Sequence, residues 1–205
     1  MTAVGADPGV YEAWLGEATE LMLDQAGVGP GSRVLDVAAG AGGQTLTAAR
    51  RTGPGGILLA TDSSEPLVDR VRAGAIAEEV SHVYAAVADA AALDFMPGAF
   101  DAAICRLGLM RLPDVAAALR AVRLALRLGG RFSAVVYDEA EHNPVLAALS
   151  GTEDPFSLSP PGVLQAALED AGFVDVEVES VDAPLRLADE VRVPFRLLVG
   201  GGRRS

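Results

Sequence analysis

Three aspartates, Asp36, Asp62 and Asp89, each close an apolar run, in "RVLDVA", "GILLATD" and "HVYAAVAD". Between the first two lies a glycine-rich turn, "AAGAGGQT". Gly40 and Gly42 can take up positive φ and leave no Cβ in the way of a ligand. The N–H groups of the helix that follows point at the same spot. Asp62 lies about twenty residues past the glycines, where a carboxylate accepts both hydroxyls of a ribose. Asp89 is placed to accept from the exocyclic amine of an adenine. Each feature alone has a plainer reading. Glycine turns are common, Asp62 with Ser63 and Ser64 would serve as a helix N-cap, and Asp89 suits a solvated loop. Three acids closing three successive strands are much harder to obtain by chance, and they line one rim.

The elements that would hold this rim alternate along the chain. "YEAWLGEATELMLDQAGV" carries Trp14, Leu15, Ala18, Leu21 and Met22 at helical spacing, and "GPGS" breaks it. The strand "RVLDVA" leads into the helix "GQTLTAARRTG", closed by Gly53. "GILLATD" is followed by the helix "EPLVDRVRAGAIAEE", and "HVYAAVAD" by a strand within "FDAAICRLGLM". The helix "DVAAALRAVRLALRLGG" is expected to stop on its glycines, ahead of the strand "RFSAVVYDE". "PPGVLQAALEDAGF" reads as a helix with proline at its start, "VDVEVESV" as a half-exposed strand and "VRVPFRLLV" as the last strand. This alternation predicts an α/β fold, a doubly wound sheet of seven strands with helices on both faces. The connection between the last two strands is too short for a crossover helix, which predicts that they run antiparallel.

Composition removes several functions. The 205 residues suit a single domain (1–205) and bury a real core. The net charge of −12 argues against a nucleic-acid surface. All 16 basic residues are arginine, which excludes lysine chemistry. One cysteine rules out an internal disulfide and any Cys-rich metal site, and no metal is expected. No apolar run is long enough to span a bilayer and no signal peptide is visible, so the expected location is the cytoplasm.

Histidine is scarce. His82 opens the third strand on the opposite rim and reads as structural. His142, in "YDEAEHNP", follows the fifth strand on the ligand side and is the only positioned general-base candidate, although exposed loop histidines usually do nothing. Cys105 sits in an apolar strand and reads as core. Tyr11 and Trp14 read as core first and acceptor-facing second. A dinucleotide would need G-x-G-x-x-G to seat its pyrophosphate. Here Gly40, Gly42 and Gly43 are followed by Gln44, Thr45 and Leu46, and Asp36 beneath the loop suits a cation better.

"VLDVAAGAGG", "ATDSSEPL", "VADAAAL" and "FDAAICRLGLMRLPD" with "ALRLGGRF" resemble, in order and spacing, the motifs of class I S-adenosylmethionine (SAM)-dependent methyltransferases. The branch is that of ubiquinone/menaquinone and other small-molecule C- and O-methyltransferases, and the likeness runs from about Gly27 to Val136. The resemblance implies a Rossmann-like fold that binds SAM and yields S-adenosylhomocysteine. Residues 1–28 would be a leading helical cap, 31–138 the SAM-binding core and 139–205 the acceptor side. Ala38, Gly40 and Gly42 would pack on the methionine part of SAM, and Asp36 would receive its amino group directly or through water. Asp62 would hold the ribose, with Ser63 and Leu67 beside the adenine. Asp89 and the Ala90 N–H would read the adenine edge. Arg106 and Leu107 would lie near the sulfonium. Ala38 replaces the family's first glycine and narrows the site slightly.

The implied activity is methyl transfer to carbon, oxygen or nitrogen of a small-molecule acceptor. The alternative is SAM binding without methyl transfer, as a sensor, a scaffold or a catalyst of another reaction. In this branch a cap covers the acceptor, built partly from the segment after the fifth strand and an insertion before the last. Here the second of these, "DAPLRLADE", has nine residues, too few for a cap helix with its connections. Either the acceptor site is open or loop residues are wanting around 147–153 and 182–191. The second reading is preferred, because the flanking strands match closely.

Overall fold

The leading helix α1 (Pro8–Gln25) buries Leu15, Ala18, Met22 and Leu23, positions three and four apart on one stripe. It packs against the strands β5 (Leu126–Tyr137) and β9 (Arg196–Arg204). The computed structural model describes residues 8–150, 154–188 and 191–205, apart from the side chains of 8–12, 186–188 and 191–192. The side chain of Tyr11 therefore lies outside the described residues, as do 151–153 and 189–190 within the two stretches where loop residues could be wanting.

The remaining strands are β1 (Arg33–Val37), β2 (Ile57–Asp62), β3 (Val83–Val87), β4 (Phe100–Arg106), β6 (Phe173–Asp182), β7 (Leu185–Ala188) and β8 (Val191–Val193). Of the nine described strands, seven form one sheet in the order β3-β2-β1-β4-β5-β9-β6. All pairings are parallel except those of β9, which runs antiparallel to both β5 and β6. β1 and β4 are buried almost throughout, as strands covered on both faces must be. The helices α2 (Gly43–Thr52), α3 (Glu65–Ala77), α4 (Val115–Ala125), α5 (Pro144–Leu149) and α6 (Val163–Asp170) complete the chain. α1, α2 and α3 touch in sequence and form one layer, while α4 and α6 meet in the other. The winding reverses between β1 and β4, which is where such sheets bind ligands.

Two boundaries differ from those expected. α4 ends at Ala125 and does not reach the glycines at 129 and 130. Leu126 already pairs with Phe100, and β5 then bulges before Arg131 joins Ala102. Gly129, at φ 76, serves that bulge and no helix stop. The last strand is also displaced. Pro194 offers no N–H to a ladder, so 191–193 leaves the main sheet to form a hairpin with β7, and the sheet strand starts at Arg196. The nine-residue connection thus holds a strand of its own.

Candidate active site

Asp36 lies in the central strand, opposite Ala60 on one side and Ile104 on the other. It is fully buried. Thr45 Oγ1 donates to its Oδ2 at 2.6 Å and Gln44 Nε2 to its Oδ1 at 3.2 Å. Burial pushes its pKa up to about 7, against the pull of these two hydrogen bonds and of the Arg106 charge. The carboxylate therefore braces the start of α2 from beneath. Its carboxyl is enclosed by these partners and has no exposed surface in this arrangement.

Asp62, by contrast, ends β2 at the rim and is partly exposed. Its Oδ2 accepts the Gly40 N–H at 2.9 Å and its Oδ1 the Ser64 N–H at 2.9 Å. The same acid thus steers the entry to α3 and the turn after β1, and each oxygen keeps acceptor capacity. A Cβ built on Gly40 would meet nothing within 4 Å, whereas one on Gly42 would come within 3.0 Å of Val71 Cγ2. Both glycines have positive φ, 58° and 87°. The turn is thus pressed onto α3 on one side and open on the other. A backbone left bare toward open space beside an oriented carboxylate fits the methionine and ribose portions of a nucleoside such as SAM.

Asp89 stands two residues past β3 and is exposed. It caps the short turn 90–92 by accepting the Ala91 N–H at 2.9 Å, and Ala90 is buried beneath it. Ser63 is exposed and Leu67 half-buried in the approach to α3.

Beyond β4, Leu107 is buried and held at φ 54°. Ala38, just past β1, has φ 53°. Among the described residues four non-glycines take positive φ, and these two stand at the carboxyl ends of neighbouring strands. Such strain collects where a site over-determines the backbone. A Cβ built on Gly108 would fall 2.6 Å from the Ala38 Cβ. The Ala38 methyl, which replaces a glycine in the motif, is accommodated against Gly108. Arg106 is buried and donates from Nη1 to Thr19 Oγ1 of α1 at 3.0 Å.

The far side of the rim is a separate polar knot. Asn143 is fully buried and its Nδ2 donates to the carbonyls of Asp138 (2.9 Å), Glu139 (3.2 Å) and Arg196 (3.0 Å). Its Oδ1 accepts the Arg196 N–H at 3.0 Å. His142 Nε2 lies 3.3 Å from Arg196 Nη1, and its Nδ1 is 3.2 Å from Asp138 Oδ2 without hydrogen-bond geometry. Asp138, Glu139 and His142 bring ligating atoms within 4.8 Å of one another, but the guanidinium against the imidazole opposes a cation there. A hollow of about 300 Å³ opens nearby, lined by Met110, Arg111, Asp154 and Pro155. Trp14 stacks edge-on against Phe195 at 4.9 Å, and its indole N–H reaches the Ala183 carbonyl, so the leading helix is fastened to the segments just after β6 and just before β9.

His82 Nε2 lies 3.0 Å from the Ala49 carbonyl and Cys105 is fully buried, its thiol pKa pushed by burial to about 12; neither serves the rim. Sequence reasoning had assigned nothing to Thr19, Gln44, Thr45 or Asn143. For Gln44 and Thr45 the signal was their place directly after the glycine turn, where a buried acid needs donors.

A methyltransferase-domain family model matches residues 34–130, from β1 into β5. Nocamycin O-methyltransferase of Saccharothrix syringae is 30% identical, covering 87% of this chain and 73% of that protein. The ubiquinone/menaquinone biosynthesis C-methyltransferase UbiE of Pectobacterium carotovorum is 28% identical over 84% of this chain; the chain spans 66% of its length. The crystal structure of the YcgJ protein of Bacillus subtilis superposes with a TM-score of 0.77 at 19% identity, covering 93% of this chain and 99% of that one.

Proposed function

The chain belongs to the class I SAM-dependent methyltransferases, and on that premise we propose that it methylates a small organic acceptor held beyond the carboxyl ends of β4 and β5. The observation that carries the reading is the pairing of Asp62 with the Gly40 N–H at the switch point of the sheet. SAM supplies a methyl group on a positively charged sulfur, ready for in-line displacement. The work left to the protein is to bind, to orient and to exclude water. Asp62 would hold the ribose hydroxyls, Asp89 and the Ala90 N–H the adenine edge, with Ser63 and Leu67 beside it. The open face of Gly40, with Ala38 and Gly42, would seat the methionine end, and Arg106 and Leu107 would border the sulfonium. Asp36 acts from below, by holding Gln44 and Thr45.

The acceptor would approach through the hollow beside Met110 and Arg111. The two relatives are named for O-methylation of nocamycin and for C-methylation in ubiquinone/menaquinone biosynthesis. They support a small organic acceptor and leave its atom to experiment. No described helix is long and apolar enough to cross a membrane.

The test is incubation of the chain with methyl-labelled SAM and a panel of phenols, enols and amines, read by mass spectrometry. A labelled product from one class establishes the acceptor. Tight SAM binding with transfer to none would favour a sensor, scaffold or other SAM-dependent catalyst.

A further inference from the structure

We propose that Thr19 is a positioning residue for the SAM site: through Arg106 it ties the middle of the leading helix to the end of β4 and so to the glycine turn. The inference rests on the reading that SAM lies at that turn. Thr19 is buried on α1, and its Oγ1 donates to the Leu15 carbonyl at 2.8 Å. With its proton so directed, the hydroxyl turns its lone pairs to Arg106 Nη1, 3.0 Å away. Arg106 ends β4, in which Ile104 pairs with Asp36 of the adjacent strand, and Gly108 just beyond it lies against Ala38 at the turn. Asp36 in turn holds Thr45 and Gln44, and Gln44 Nε2 also donates to the Ala39 carbonyl inside the turn at 3.0 Å. Hydrogen bonds at both ends and the pairing of β1 with β4 between them thus connect α1 to the glycine turn.

The helix does not need Thr19 to stay in place. Trp14 fastens one end, and Gln25 fastens the other through Ser133 Oγ (3.0 Å), Glu179 (3.0 Å) and the Arg131 guanidinium (2.6 Å). Loss of the hydroxyl would instead take one acceptor from a buried guanidinium, and Arg106 is then held less firmly in its place at the end of β4. The end of β4 then loses a fixed point, and the turn packed against Gly108 loosens with it. Helix docking and ligand binding become two readings of one contact.

The experiment compares Thr19→Val, which keeps shape, with Thr19→Ser, which keeps the hydroxyl. SAM affinity is measured by calorimetry well below the melting temperature, together with hydrogen–deuterium exchange of residues 13–25 in the unaltered chain. The expected result is an affinity about fivefold weaker in Thr19→Val and close to the original in Thr19→Ser. SAM should also slow exchange in the helix. A merely structural hydroxyl would lower the melting temperature of Thr19→Val and leave its affinity intact, which overturns the proposal. Equal weakening in both variants overturns it too. Should Thr19→Val not fold, an exchange pattern unmoved by SAM overturns it on the original chain. Failure of the unaltered chain to bind SAM would bring down the functional reading first, and this one with it.

Discussion

The Asp62 carboxylate and the Gly40 N–H meet at 2.9 Å, so the acid that ends β2 also shapes the turn that follows β1. In the proposed site one group would serve both the ligand and the loop that receives it. Asp62→Ala removes both, leaving the part-buried Gly40 and Ser64 N–H groups and the ligand hydroxyls short of an acceptor, at up to about 1–3 kcal/mol. SAM affinity is expected to fall roughly tenfold or more by calorimetry. Unchanged affinity would place the nucleoside elsewhere.

Asp36 links stability to pH. Its folded pKa of about 7 lies above the ordinary carboxylate value, because burial disfavours the charge. Its contribution to stability is therefore full below the unfolded pKa and is lost as pH rises through the folded value. Between about pH 4 and 7 the protein should lose stability relative to Asp36→Asn, which does not titrate. Urea unfolding of both proteins at several pH values checks the sign, and parallel pH curves would contradict it.

Ala38 and Gly108 compete for one space. Gly108→Ala would place a methyl 2.6 Å from the Ala38 Cβ and 3.1 Å from Cys105 Sγ, at a φ of −104° that any residue tolerates. Overpacking of this kind costs about 1–3 kcal/mol. Ala38→Gly relieves the left-handed strain at φ 53° and vacates the space. The double substitution should recover at least about 0.5 kcal/mol beyond additivity in a thermodynamic cycle. Strict additivity would show that the two residues do not press on each other.

His142 carries the one general base that spacing suggested, yet Arg196 can only donate, and it faces the Nε2 lone pair at 3.3 Å. Set against a guanidinium that only donates, this nitrogen is poorly directed toward an acceptor. His142→Gln is expected to keep turnover within about tenfold and to leave the shape of the pH–rate profile unchanged, against the 10²–10⁴-fold loss of a true base. Loss of one limb of that profile would restore the histidine to catalysis.

The strands, the crossover helices and the three acids were readable because each is local: an apolar run, a cap or glycine, a carboxylate at the end. Asp62 and Asp89 hold the rim positions their spacing implied, whereas Asp36 turned out enclosed. Its enclosure depends on Gln44 and Thr45 folding back over it, a tertiary fact with no periodic signature. The end of α4 was misplaced because the glycines at 129 and 130 mimic a helix stop, while the competing pairing of Leu126 with Phe100 is long-range. Pro194 was visible, but its power to divide "VRVPFRLLV" shows only once the ladder of β9 is known. Asn143 was out of reach altogether. It is buried by Arg196, 53 positions away.

The place of β9 between β5 and β6 has a consequence for how the chain acquires its shape. β6 precedes β9 in the chain yet touches the sheet only through it. Until residues 196–204 arrive, "FVDVEVESVD" has no partner, and the edge of β5 stays uncovered. The closing strand enters this slot with Gly200, Gly201 and Gly202, where an added Cβ would meet neighbouring atoms at 2.7, 2.5 and 3.0 Å. Bare backbone lets a late strand slide home between two surfaces already formed. Completing this sheet is thus an insertion between two strands and not an addition to an edge.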